Sequence, residues 1–181
     1  MTEPGIDQLL ARPLLEADID RATAALAAPL EEAARRRVRI LAMRAGGEIL
    51  AIPAREVAKV VPAGRIHRVP HRTGKVFRGI ANHDGELLLC VSVEESLGIA
   101  APAERARGVL VVAEQRRERW AFEVDAIVGV TDVDEASLRA PPLTLAAARS
   151  GCAASLVRIE EGEAVLLDTH ALFAIFRGSL G

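Results

Sequence analysis

From Val38 onward, the chain is a series of short apolar runs that are joined in pairs by tight turns. Four such pairs are present: VRILAMRAGGEILAI, GIANHDGELLLCVSV, GVLVVAEQRRERWAFEVD and SLVRIEEGEAVLLD. Gly-Gly and Asp-Gly, as in Asp84-Gly85, supply the backbone angles of a two-residue hairpin turn. Short strands with little helix between them favour small barrels over alternating strand–helix units. The sequence therefore predicts a mainly β fold.

The predicted hairpins follow a repeating plan. LAIPAREVAKVV (50–61) resembles WAFEVDAIVGVT (120–131), so that Ala51 corresponds to Ala121. In the same way DGELLLCVSVEESL resembles EGEAVLLDTHALF, so that Gly85 corresponds to Gly162. Two halves with one plan predict two small barrels related by an approximate two-fold axis. The segment 98–108, rich in alanine and charge, is expected to connect them.

Ahead of the predicted strands, residues 13–37 carry a long helical pattern, with apolar residues at three- and four-residue spacing. The sequence thus predicts a helical extension over 1–37 and a β domain over 38–181. The apolar face of the extension packs either on its own domain or on a partner. The start of the chain lacks the features of a secretory signal, and no apolar run is long enough to span a bilayer. We expect a cytoplasmic protein.

The charge of the chain argues against a general nucleic-acid binder. Its 181 residues are 50% hydrophobic and have a formal net charge of -2, whereas nucleic-acid binders concentrate positive charge. The basic run over 65–78 could meet RNA phosphates, but only Phe77 is near it to stack on bases. A nucleic-acid-binding double barrel is kept as an alternative.

The sequence offers little that could hold a metal or act as a nucleophile. His67 and His71 have a spacing used by metal ligands on helices, but they lie in a predicted loop without acidic neighbours. Cys90 could serve as the nucleophile of a hydrolase, with His83 or His170 as the base. A thiol inside an apolar strand, however, is normally inert. We therefore expect no metal, no cofactor and no enzymatic activity, and a binding module remains.

The order of the motifs resembles the CheW family of chemotaxis coupling proteins over residues 38 to about 176. The matching pieces are RAGGEILAIPAREVAKVV, RVPHRTGKVFRGIANHDGELLLCVSV, VLVVAEQRRERWAFEVDAIVGVTDV, LRAPP and EAVLLDTHALF. The resemblance implies two SH3-like five-stranded β-barrels without catalytic activity. Such proteins link the cytoplasmic tips of chemoreceptors to the regulatory domain of a CheA-type histidine kinase. A scaffold in a motility or second-messenger chemosensory pathway is the alternative within the family.

The resemblance also implies where partners bind. Receptor helices would lie on an aliphatic seam between the barrels, and the kinase would pack against the barrel ends. The corresponding positions in this chain are Val57, Lys59, Val60, Gly79, Asn82, Asp84 and Ile127.

Two of these positions depart from the family pattern. Asp84 stands where the family has an arginine, within Asn82-His83-Asp84-Gly85, and Lys59 stands where it has an acidic residue. Both charges are reversed, so Lys59 and Asp84 could form the family's ion pair with its polarity swapped if the two positions face each other. We expect the reversed charges to select a dedicated kinase and receptor set. The simpler interpretation is that Asp84 is a good turn former beside Gly85.

Overall fold

The computed structural model describes residues 36–70, 74–100 and 108–180. The chain divides into two units, Met1–Arg36 and Arg37–Gly181. The predicted N-terminal helix lies outside the described residues and stays a prediction.

The described part of the second unit is mostly strand, with three helices and two short 3-10 turns. The strands are β1 (Arg37–Ala45), β2 (Glu48–Pro53), β3 (Val57–Pro62), β4 (Ile66–His67), β5 (Phe77–His83), β6 (Glu86–Val91), β7 (Val109–Gln115), β8 (Glu118–Val124), β9 (Ala126–Asp134), β10 (Ala153–Ile159) and β11 (Gly162–Leu167). The helices are α1 (Val93–Leu97), α2 (Leu143–Ala148) and α3 (Thr169–Gly178), and the 3-10 turns are Ala54–Glu56 and Glu135–Ser137.

The strands form two sheets with the same plan, which confirms the predicted two-barrel fold. Barrel A has the strand order β10-β11-β2-β1-β9, and barrel B has the order β3-β7-β8-β6-β5-β4. In each, two antiparallel hairpins meet through one parallel contact, β11 with β2 or β6 with β8. Ala51 pairs with Leu166 in the first contact, and Ala121 pairs with Cys90 in the second. The two alanines matched in the sequence repeat are therefore equivalent in space.

The helices that follow the parallel strands are also equivalent. α1 follows β6 and α3 follows β11, and each begins at a side-chain cap. Ser92 Oγ accepts a hydrogen bond from the Glu95 backbone N–H at 3.2 Å, and Asp168 Oδ1 accepts one from the His170 N–H at 2.8 Å. Both caps satisfy backbone donors that the first turn of a helix leaves free.

The route of the chain between the barrels differs from the prediction. The strands on either side of 98–108, β6 and β7, both belong to barrel B. The chain instead crosses between β2 and β3 and again between β8 and β9. The third strand of each half pairs with the first strand of the other half, β3 with β7 and β9 with β1. Each barrel is thus built from both halves, and the predicted connection through 98–108 is wrong.

Buried side chains form a core inside each barrel and a larger one between the two sheets. Trp120 and Phe122 of β8 meet Phe173 and Phe176 of α3 in the larger core, with Phe176 centred 5.5 Å from the Trp120 ring. These side chains fill the space between the sheets. The expected open seam at that place is corrected, because the apolar face of α3 occupies it.

Candidate protein-binding surface

The strands that end the two sheets, β3 and β9, occupy equivalent places in the two barrels. Each contains a bulge, that is, one extra residue opposite the partner strand. Val57 and Ile127 lie on one side of the bulge, and Lys59 and Gly129 lie on the other. The two-fold plan therefore makes Val57 equivalent to Ile127 and Lys59 equivalent to Gly129.

Each of these strands exposes one valine beyond its bulge. Val60 on β3 is 41% exposed and Val130 on β9 is 60% exposed. Val57 and Ile127 are half-buried against the core between the sheets. Val57, Val60 and Ile127 are among the positions predicted from the sequence, whereas Val130 is not. The spacing of two aliphatic residues three positions apart, shared by Val57-Val60 and Ile127-Val130, could have indicated it.

Lys59 takes part in a network of ion pairs on barrel B. Its Nζ donates a hydrogen bond to Glu86 Oε2 at 2.7 Å. Arg119 donates from Nη1 to Glu86 Oε1 at 2.8 Å and from Nε to Glu114 Oε2 at 2.6 Å. The hydrogen bond from Lys59, followed by that from Arg119, holds the pKa of Glu86 below its usual value. The four side chains link β3, β6, β7 and β8.

Lys59 and Asp84 do not form the ion pair that their reversed charges would allow if they faced each other. Lys59 pairs with Glu86, two residues further along the hairpin, and the Asp84 side chain is 89% exposed. The Nε2 of His83 lies 3.2 Å from Asp84 Oδ2. The reason is geometric, because Asp84 lies in the turn with a φ of 51°, whereas Glu86 lies on β6.

Asn82 and Asp84 shape the turn between β5 and β6. Asp84 and Gly85 both have positive φ, 51° and 83°, as a type I′ hairpin turn requires. Asn82 Oδ1 accepts a hydrogen bond from the Gly85 N–H at 3.0 Å. The structure thus supports the interpretation of Asp84 as a turn former, and it also leaves that carboxylate facing solvent.

Gly79 lies at a bulge of β5, with a φ of 135°. A Cβ at this position would lie 2.1 Å from the backbone oxygen of His67 on the neighbouring β4. Gly79 therefore allows the close approach of β4 and β5, and any effect of this position on a partner would come through the backbone.

The predicted positions fall into two groups. Lys59 is linked to Glu86 at the start of β6 by an ion pair. Val57 and Val60 lie on the other face of the same edge strand, opposite Ala113 and Val111, and Ile127 lies on barrel A. We call Val57, Lys59, Val60, Asp84 and Glu86 the β3 surface.

The described residues offer little for metal binding or nucleophilic catalysis. In the ranges 36–70, 74–100 and 108–180, no three histidine, cysteine or acidic side chains are grouped so as to hold a metal ion. Burial raises the pKa of the Cys90 thiol to about 11, so this thiol is protonated at neutral pH. No helix within the described part is long and apolar enough to cross a membrane.

The fold and this surface define a class of protein: a double-barrel β domain that exposes single aliphatic side chains on its two sheet-ending strands. Comparison with known proteins gives the family. The family model of the CheW-like domain matches residues 39–176, which is more than half of the chain, so the chain belongs to the CheW-like domain family. The resemblance seen in the sequence is thereby confirmed.

Solved structures agree with this fold. The crystal structure of the scaffolding protein TtCheW from Thermoanaerobacter tengcongensis is similar, with a TM-score of 0.67 and 19% sequence identity. The match covers 76% of this chain and 88% of TtCheW. Among curated proteins, no sequence match is found. The chain is thus a CheW-like scaffold or adaptor of chemotaxis signalling, a family of non-catalytic proteins.

Proposed function

We propose that this protein couples chemoreceptors to a CheA-type histidine kinase, and that the β3 surface contacts the regulatory domain of that kinase. The observation that carries the proposal is the match of the CheW-like domain over residues 39–176. The role would place the protein at the cytoplasmic tips of receptors in a membrane-bound array.

The β3 surface has the composition of a docking site. Val60 offers an exposed aliphatic side chain, and Val57 beside it is half-buried. Lys59 and Glu86 are held in place by their ion pair, so ordering them on binding costs little side-chain entropy. Apolar contacts at the centre of an interface commonly carry most of its binding free energy.

The exposed negative charge of Asp84 supports the selection of one kinase over others. Its carboxylate is 89% exposed and faces solvent, so a cation of the partner could approach it. The family has an arginine at this position, and a kinase that fits an arginine would present an anion there. Two like charges across an interface cost several kcal/mol. We infer that the protein serves a kinase whose matching position is basic.

The test is binding of the full chain to the regulatory domain of the CheA-type kinase with which it co-purifies. We expect Val60→Asp to weaken this binding about 30-fold, because removing a central apolar contact costs about 2 kcal/mol. Val130→Asp is the matched control, since it changes the equivalent valine on barrel A, and it should leave the affinity within about threefold. Equal losses in both variants would contradict a kinase site on the β3 surface.

Asp84 is tested separately with two variants that keep a turn-compatible backbone. Asp84→Asn removes the charge and tolerates positive φ, and Asp84→Arg restores the charge of the family pattern. We expect Asp84→Arg to bind its own kinase at least 10-fold more weakly than Asp84→Asn. Unchanged binding of Asp84→Arg would refute a role for this charge in partner choice. The identity of the co-purified kinase distinguishes a chemotaxis pathway from a motility or second-messenger pathway.

A further inference from the structure

The mouths of the two barrels are filled differently. In barrel B, side chains alternate between the interior and the exterior, and Lys59 faces the same way as its cross-strand neighbour Val112, a residue of the interior core. Glu86 shares a face with Leu88, two residues further along β6, which is also part of that core. The ion pair between Lys59 and Glu86 therefore lies across the mouth of barrel B and covers its core.

The equivalent positions in barrel A carry no side chain. Gly129 is the counterpart of Lys59. Gly162 begins β11 opposite Ile159 as Glu86 begins β6 opposite His83, so Gly162 is the counterpart of Glu86 and the sequence match of Gly162 with Gly85 is wrong by one residue. A Cβ added at Gly129 would meet no atom within 4 Å. Where barrel B is closed by an ion pair, barrel A is open.

The opening of barrel A is a cleft of about 190 Å³ between β9 and the β10–β11 turn. This is several times the volume that one water molecule occupies in the liquid, about 30 Å³. The cleft therefore has room for an aliphatic side chain. Its lining residues are Ala42, Val128, Gly129, Val130, Thr131, Ile159, Glu160 and Glu161.

The cleft combines an apolar floor with an acidic rim. Val128 and Ile159 pack against the barrel A core, whereas Glu160 and Glu161 are exposed in the turn. Neither carboxylate has an ion-pair partner in the described part of the chain. Arg44 lies two residues from Ala42 along β1 but does not line the cleft, so the lining residues include no cation that would offset the acidic rim.

We propose that this cleft is a docking site for a protein segment that presents one large aliphatic side chain next to a lysine or arginine. The aliphatic side chain would lose its contact with water against Val128, Val130 and Ile159. The neighbouring cation would pair with Glu160 or Glu161, and an acidic segment would be repelled. The site is on the other barrel from the β3 surface and does not depend on the kinase proposal.

The test uses the full chain labelled with ¹⁵N and titrated with three capped five-residue peptides. They are acetyl-Gly-Arg-Leu-Arg-Gly-amide, the same peptide with serine in place of leucine, and the same peptide with glutamate in place of both arginines. We expect the first peptide to shift the amide signals of Gly129, Val130 and Ile159 saturably at millimolar concentrations. The other two should bind at least 10-fold more weakly.

Two variants connect the signal to the cleft. Gly129→Leu places a side chain in the open space, and because φ at Gly129 is not positive and no atom is near its Cβ, we expect it to fold. Glu160→Gln combined with Glu161→Gln removes the acidic rim from an exposed turn. Each variant should weaken the binding of the leucine peptide at least 10-fold. Val60→Asp on barrel B should leave the binding of this peptide unchanged.

Three results would overturn the proposal. One is the absence of saturable shifts at Gly129, Val130 and Ile159. Another is equal binding of the serine peptide, or binding that survives both the Gly129→Leu and the glutamine variants. The third is a shift of the same signals with protein concentration alone, which would identify a second copy of the chain as the occupant.

Discussion

Replacing Gly79 by alanine tests how the backbone supports the β3 surface. A residue with a side chain at a φ of 135° is strained by about 1–3 kcal/mol. The new Cβ would also lie 2.1 Å from the His67 oxygen, so β4 must move away from β5. The β4–β5 pairing consists of two residue pairs, and its hydrogen bonds are worth about 1 kcal/mol each.

The free energy of unfolding should therefore fall by roughly 2–4 kcal/mol, after allowing for the reduced freedom of the unfolded chain that alanine brings. Urea unfolding measures this, and Trp120 reports it because it is the single tryptophan of the chain and is 2% exposed. With a slope of about 2 kcal/mol per molar urea, the midpoint should drop by about 1–2 M.

Two other glycines separate the strain from the close contact. Gly85 has a φ of 83° but open space around a Cβ, and Gly129 has open space without positive φ. We expect Gly85→Ala to cost about 1–2 kcal/mol through strain alone, and Gly129→Ala to change stability by less than about 1 kcal/mol. If Gly79→Ala costs no more than Gly85→Ala, the argument from the contact with His67 is refuted.

Three further predictions concern ionisation, packing and reactivity. The ion pairs of Glu86 lower its pKa in the folded state, so they stabilise the fold above the unfolded pKa of about 4.3 and this contribution is lost as the pH falls through the folded value. The difference in urea midpoint between the wild type and Glu86→Gln should accordingly shrink between about pH 7 and pH 3, and a constant difference would contradict it. Phe176→Ala removes a fully buried ring in contact with Trp120 and should cost about 3–5 kcal/mol in urea unfolding, whereas a loss below about 1 kcal/mol would show that α3 does not hold the sheets together. Burial raises the pKa of Cys90 and Cys152 to about 11 each, so iodoacetamide at about pH 8 should label neither thiol until the protein is unfolded; labelling of native Cys90 would reopen the hydrolase alternative.

Much of the strand content could be predicted because its signals are local. A turn such as Asp84-Gly85 determines a hairpin from adjacent residues, and the alternation of apolar residues determines which side of a strand is buried. The repeat that matched Ala51 with Ala121 was also visible, since equivalent strands need similar side chains. The repeat does not specify the partner of its third strand, because the pairings of β3 with β7 and of β9 with β1 join segments far apart in the sequence.

The surface shows the same division. The spacing of Val57 and Val60 on one strand is a local property, and the sequence placed both correctly on β3. The partner of Lys59 depended on how barrel B closes, which brings Glu86 rather than Asp84 within reach.

The amino-acid sequence alone determined the hairpins, the doubled plan and the family, because each of these depends on residues close together along the chain. Only the tertiary structure decided that the halves exchange their third strands and that α3 fills the space between the sheets. It also decided that Lys59 and Glu86 close one barrel while Gly129 leaves the other open. These features depend on contacts between segments that are far apart in the sequence, and the local preferences of the chain do not specify which distant segments pack together.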